Sequence, residues 1–160
     1  MLVQHEHDER SGRKIDRLKK AARFRYNATP DQIRPDVTGI RMSDYWPKSP
    51  HALVGNCENI PITGSAGVGK SNLASALGQQ SCLNGFRTLY FNSQKLFYSL
   101  RLGKMDGTHR KQINAIAKAD ILIIDDFGLQ KLDDYSRLDL MELRRTGTAE
   151  NPRLYLPNCP

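Results

Sequence analysis

Gly64-Ser65-Ala66-Gly67-Val68-Gly69-Lys70-Ser71 meets the pattern G-x-x-x-x-G-K-[ST] at every fixed position. Its glycines let the backbone curl, so that successive amide N–H groups face one point where phosphate oxygens fit. The apolar run Ile60-Pro61-Ile62-Thr63 precedes the turn, and Asn72 to Leu83, rich in helix formers, follows it. A strand, a glycine turn and a helix are the context in which this motif holds phosphate, with the helix N-terminus adding positive potential. A merely flexible glycine turn has no need of those flanks. Gly64, Ser65, Ala66, Gly67, Val68, Gly69, Lys70 and Ser71 are therefore the candidate nucleotide-binding residues. Lys70 is placed to reach the β- and γ-phosphates of ATP, and the Ser71 hydroxyl to ligate Mg2+.

The chain downstream keeps alternating. Arg87-Thr88-Leu89-Tyr90-Phe91 is strand-like, Gln94 to Leu102 is helical with Leu96, Phe97 and Leu100 on one side, and a helix around Arg110 to Lys118 leads into Ile121-Leu122-Ile123-Ile124. Strands alternating with helices imply a parallel sheet covered on both faces, and the unbroken apolar run fits a strand buried on both sides. The fold class is α/β, a P-loop parallel sheet flanked by helices. Asp125 and Asp126 end the apolar strand at the edge where the phosphate loop lies. Asp125 is the candidate Walker-B acid for Mg2+, and Asp126 the candidate general base for the attacking water. Alone, two acids after an apolar run are an ordinary solvated loop; with the phosphate loop upstream they predict an ATP-binding, Mg2+-dependent hydrolase. The second acid favours water activation over phosphoryl transfer by a small-molecule kinase, for which no acceptor site is recognisable.

The rest of the composition sets bounds. The chain has 160 residues, 39% hydrophobic and 26% charged, which fits one ordinary domain and excludes a compositionally disordered chain. No apolar run approaches the ~20 residues of a membrane span, and the start has no signal-peptide apolar region, so a cytoplasmic protein with no membrane partner is expected. Cys57, Cys82 and Cys159 are odd in number and unpaired in spacing, which argues against a disulfide framework or zinc site. His5 and His7 read as a frayed terminus rather than a metal site.

The net charge of +7 resides in one segment: Arg10 to Arg25 holds eight basic residues against Asp16, so the remainder sums to zero. Residues 12–26 read as a helix with a thin apolar stripe at Ile15, Leu18 and Ala22, closed by Phe24 and Tyr26. Such a helix lies on DNA, an acidic partner or a membrane surface, or packs on its own domain through Ile15, Leu18 and Phe24. Pro30, Pro35, Pro47 and Pro50 punctuate a connector from about Asn27 to Asn59. Three segments result: residues 1–59 as basic helix and connector, 60–142 as ATPase core, and 143–160 as an atypical tail.

Arg17-Leu18-Lys19-Lys20-Ala21-Ala22-Arg23-Phe24-Arg25-Tyr26, Ile62 through Ala74, Leu89-Tyr90-Phe91-Asn92 and Leu122-Ile123-Ile124-Asp125-Asp126-Phe127-Gly128-Leu129 together resemble IstB-like proteins. These are helper ATPases of bacterial insertion sequences, related to the DnaC helicase loaders within the AAA+ group. The resemblance covers about Arg17 to Glu142. It implies a RecA-like AAA+ core, ATP-dependent assembly on DNA as a homo-oligomer, and a transposase as partner. A DnaC-like helicase loader is the alternative, and a degenerate fragment that binds nucleotide without turnover is another.

Departures from the family lie at both ends of the core. Pro61 stands where the family has an aliphatic residue in a central strand, and it removes a backbone donor. The module that precedes the family's basic helix is mostly missing. After Met141-Glu142 the likeness stops, and Thr146 to Pro160, with three prolines, looks unlike a helix-then-strand pattern. Synonymous codons exist for Ala149 to Pro160 that, read one base earlier, translate to GRKSTIISAQLP, which resembles the family's sensor-1 strand. An out-of-frame tail after a one-base slip near Leu143 is the expectation. In the family that strand lies between the phosphate-loop and Walker-B strands, and Arg153-Leu154-Tyr155-Leu156 is β-compatible enough to take its place. No residue is assignable to the lid or the arginine finger, so turnover by this chain is left open.

Overall fold

Ile121–Asp125 is buried at all five positions because its two faces meet two different layers. Ile121 and Ile123 pack with Leu73, Ala74, Leu77, Tyr90 and Ile62 on one side. Leu122 and Ile124 pack with Leu96, Phe97, Leu100, Ile113, Ile116 and Leu143 on the other. Period-two alternation within an apolar run thus builds a helix–sheet–helix sandwich. The computed structural model describes residues 2–29, 60–63, 67–127, 131–145 and 153–157. In chain order the elements are α1 (Leu2–Ala22), β1 (Ile60–Ile62), α2 (Lys70–Leu83), β2 (Thr88–Asn92), α3 (Ser93–Asp106), α4 (His109–Ala117), β3 (Ile121–Asp125), α5 (Asp134–Arg145) and β4 (Arg153–Pro157). The α/β class read from the alternation is the one observed.

The strands form one parallel sheet in the order β1-β4-β3-β2. β4 lies between β1 and β3, with Tyr155 opposite both Ile60 and Ile123. The expectation that the tail departs from a helix-then-strand pattern is corrected here: α5 is followed by a strand in the slot where the resemblance places sensor 1. Arg153-Leu154-Tyr155-Leu156 is β-compatible, pairing with β1 and β3 on both sides holds it as that strand, and Pro157 falls on its last residue. β1 is only three residues long and pairs, among the described residues, with β4 alone. Pro61 is tolerated there because an edge strand leaves one row of its backbone groups outside the ladder.

The basic helix also differs from its expectation. It begins at Leu2, not near residue 12, and it ends at Ala22, not at Tyr26. The expected frayed start is therefore helical from Leu2. Arg23 takes a left-handed φ of 55° and turns the chain out of the helix. Of the stripe, Ala22 is buried, and Ile15, Leu18 and Phe24 are half-buried. Phe24 meets Tyr90 edge-on, ring centres 6.2 Å apart, and sits so close to Gly78 that any Cβ there would overlap its ring and come within 2.8 Å of Ile123. Packing of the N-terminal segment on its own domain is thus what the structure shows for Phe24. The connector's prolines lie outside the described residues.

On the far face, Asp139 of α5 is 2% exposed and draws together three helices. Lys104 Nζ lies 2.5 Å and His109 Nε2 3.1 Å from its Oδ1. His109, Asp139 and Glu142 are spaced as a metal would need, but Lys104 already supplies the cation that the buried carboxylate requires. Asp139→Ala is expected to lower stability by about 2–4 kcal/mol, since it strands Lys104 and His109 in a partly buried site. Urea unfolding at unchanged slope checks this.

Candidate functional site

Strand register places the chemistry. β2 and β3 run parallel with Asn92 opposite Asp125, so both strands end at the same edge of the sheet. The phosphate turn reaches that edge from β1. Gly64, Ser65 and Ala66 lie outside the described residues. Gly67 and Gly69 have φ of 83° and 85°, left-handed values that a side chain would resist, and they swing the chain into α2. Gly69 caps α2 without a side-chain oxygen, so no side chain of that cap covers the first-turn amides. Val68 is half-buried beside the turn, and Lys70, the first helical residue, is 5% exposed.

Ser71 Oγ donates to Asp125 Oδ1 at 2.9 Å, joining the turn to the end of β3 across 54 residues. The two residues that the sequence offers as Mg2+ ligands are thus brought into direct contact. Asp125 is 1% exposed, and it tolerates burial because its oxygens are met by donors. Oδ1 also accepts from the Asp126 amide at 2.8 Å, and Oδ2 accepts from the Tyr90 hydroxyl. Burial first, and the adjoining carboxylate second, push the Tyr90 hydroxyl far above the usual phenol range, which keeps its proton on oxygen and donating.

Asp126 sits in the turn after β3 with φ of 56°, a conformation that aspartate accepts more readily than most residues. Its Oδ2 receives Asn92 Nδ2 at 2.7 Å and Arg25 Nη1 at 3.4 Å, and its carbonyl accepts from Ser93 Oγ at 2.9 Å. Arg25 Nη1 is also 3.8 Å from Asp125 Oδ2. Tyr90, Asn92, Ser93 and Arg25 are site residues that motif reading did not pick out. Leu89-Tyr90-Phe91-Asn92 carries family likeness in sequence, but which of its side chains faces Asp125 depends on strand order. Tyr90→Phe is expected to cost about 1.5–3 kcal/mol, the worth of a hydrogen bond to a charged group, measured by denaturant unfolding.

The donor set fits a hard divalent cation: a hydroxyl and a carboxylate, both oxygen, already in contact and backed by a second carboxylate. Elsewhere, a groove of about 530 Å3 is lined by Arg10, Arg13, Lys14 and Arg17 of α1 and by Arg87. Most of the cations of the basic segment face this groove or solvent, whereas Arg25 faces the acid pair.

A sequence profile of the family described as IstB-like ATP binding protein matches residues 1–147. The chain belongs to that family. The match starts at residue 1, so the segment before the basic stretch lies within it, which corrects the expectation that the likeness begins at Arg17. This IstB-like chain is 32% identical to an ATP-binding protein of insertion sequence IS1162 from Pseudomonas fluorescens, over 89% of its own length and 63% of the relative's. It is 30% identical to an insertion-sequence ATP-binding protein of Sinorhizobium fredii, over 89% of its length and 59% of the relative's. It therefore spans about three-fifths of the length of these two relatives. Among solved structures it resembles AMPPCP-bound DnaA from Aquifex aeolicus, with a TM-score of 0.72 at 20% identity, covering 85% of this chain and 43% of that one. It also resembles the DnaC helicase loader, with a TM-score of 0.64 at 21% identity over 84% and 78%. These likenesses place the IstB-like chain in the P-loop AAA+ fold. Among the described residues no helix is long and apolar enough to cross a membrane.

Proposed function

We propose that this chain binds ATP with Mg2+ and hydrolyses it in support of a transposase at target DNA. The observation that carries the reading is the 2.9 Å contact of Ser71 with Asp125, which brings the phosphate turn and the strand-end acids to one point. The backbone amides of the turn and the N-terminus of α2 would receive the phosphates, and Lys70 would neutralise charge on the β- and γ-oxygens. Ser71 and Asp125 would hold Mg2+, which when bound supplies charge neutralisation at the β- and γ-phosphates. Asp126, outside that contact and held by Asn92, would take the proton of the attacking water. The cationic groove on α1 supports a DNA backbone as the second ligand. Insertion-sequence ATP-binding proteins among the relatives support the transposase as partner.

Phosphate release from ATP, measured with and without duplex DNA and in the presence of an insertion-sequence transposase, tests this reading. Turnover that needs Mg2+ and Lys70 supports hydrolysis, and acceleration by the transposase supports the partner. Nucleotide binding with no release to water would instead support a degenerate fragment, and phosphate found on a small-molecule acceptor would support a kinase. The likeness to a replicative helicase loader DnaC of Buchnera aphidicola, 27% identical over 63% of this chain, favours helicase loading as the second reading. Stimulation by a replicative helicase, and not by the transposase, would select it.

A further inference from the structure

Asp125 ends β3 fully enclosed, Asp126 follows it in the turn, and a cation that reaches both comes from near the other end of the chain. Arg25 Nη1 lies 3.4 Å from Asp126 Oδ2 and 3.8 Å from Asp125 Oδ2, with the Arg25 side chain 51% exposed and that of Asp125 only 1%. The reach is built in, because the residues on both sides of Arg25 are anchored. Phe24 is packed against Tyr90, and Gln79 Nε2 donates to the Tyr26 carbonyl and the Asn27 Oδ1, each at 3.2 Å. The guanidinium also lies over the Tyr26 ring, 5.4 Å from its centre. Its solvent side opens on a cavity of about 880 Å3 that Arg23, Asn92, Lys95 and Ser99 also line, so the side chain has room to leave without unpacking the core.

We propose that Arg25 is an internal cation that caps the Asp125–Asp126 pair and competes there with the divalent metal. The proposal rests on the reading of these acids as a metal and hydrolysis site. A guanidinium and a divalent cation within a few ångströms of the same carboxylates repel one another. Metal loading therefore requires Arg25 to swing toward the cavity, and the closed cap lowers apparent metal affinity by the fraction of molecules that hold it shut. In the absence of metal the same contact offsets two adjoining negative charges, one of them buried, at the end of β3. Because Arg23, Arg25 and Lys95 line the same cavity, any anion that binds all three there would draw the cap open and favour loading.

Mn2+ uptake, followed by loss of its free-ion electron-paramagnetic-resonance signal, reads the competition in the full chain without nucleotide. Arg25→Ala is expected to bind Mn2+ about twofold to fivefold more tightly than the parent, since an ion pair with a half-exposed guanidinium is worth a small multiple in an equilibrium constant. Arg25→Lys, which keeps the charge, should stay near the parent. Arg25→Gln, which keeps the length and polarity, repeats the measurement should Arg25→Ala unfold. Arg23→Ala removes a cation from the same cavity without removing a contact to the acids, and should shift uptake less than twofold. Unchanged or weaker binding in Arg25→Ala and Arg25→Gln overturns the proposal, as does equal tightening in Arg23→Ala or an absence of uptake by every form. Nucleotide binding measured alongside separates the two readings. If the order of Mn2+ affinities holds while ATP fails to bind, only the nucleotide reading falls. If ATP binds through Lys70 and the order fails, only the cap falls.

Discussion

Lys70→Ala is expected to lower ATP turnover at least about a hundredfold, the loss typical when one preorganised charge-stabilising donor is removed from a reacting centre. Lys70 opens α2 just after the left-handed Gly67 and Gly69, and it is 5% exposed. An ammonium there is a point charge on a flexible stem, suited to following the β- and γ-phosphates as charge moves between them. Nucleotide affinity should fall as well, because the same charge acts in the ground state. Alanine is the best helix former, so α2 should persist and the circular dichroism spectrum should not change. Lys70→Arg should not restore turnover, since a planar guanidinium does not follow the curl that Gly67 and Gly69 make. Phosphate release from the purified variants checks both statements. A Lys70→Ala protein that hydrolyses at the parent rate would remove the site from this edge of the sheet.

That prediction was legible in the sequence because the phosphate turn is local. Its glycines, lysine and serine are contiguous, and the strand and helix that frame them are adjacent in the chain. Asp125 was legible for a related reason. In a parallel α/β sheet every strand delivers its last residue to the same edge, so an acid after four apolar residues must arrive near the turn. The two-faced packing of Ile121 to Ile124 also followed from its lack of alternation. Asn92 and Tyr90 were not legible, because their contacts depend on β2 being the immediate neighbour of β3, and strand order is a property of the assembled sheet. Arg25 was further from view. It is one of eight cations within sixteen residues, and only the φ of 55° at Arg23 and the seating of Phe24 turn this one toward the acids, 101 residues away.

The ends of the chain show how weak patterns mislead. The apolar stripe of α1 is thin, so periodicity found its second half and missed ten residues of helix before it. In the tail, prolines spaced five and three residues apart read as breakers, yet only Pro157 lies within β4. Between its two neighbours, β4 pairs on both sides, and ladder bonds to β1 and β3 hold a segment whose own preference for strand is modest. Tertiary pairing decides such a case where composition alone cannot.

Asp126→Asn is the sharper of the catalytic tests, because it changes charge and almost nothing else. Asparagine tolerates the left-handed turn as well as aspartate does, and its carbonyl oxygen can still accept from Asn92. Ser71, Tyr90 and the backbone amide still meet Asp125, so the metal donors are untouched. What is lost is a carboxylate able to take a proton from water, and with it the ion pair to Arg25. General-base catalysis is worth about 10²–10⁴ in rate, and turnover should fall by that factor. ATP affinity should hold or rise slightly, since a negative charge leaves the neighbourhood of the phosphates. The signature is a fall in kcat with little change in KM, as expected for an interaction made only in the transition state. Asp125→Asn should differ, raising the Mg2+ needed for half-maximal turnover as well as lowering kcat, because it weakens the metal's own donor. If both variants lose nucleotide binding in parallel with turnover, the two acids act together on the metal and neither is the base. If Asp126→Asn turns over at the parent rate, the water is activated elsewhere, and the second acid serves only to close the turn after β3.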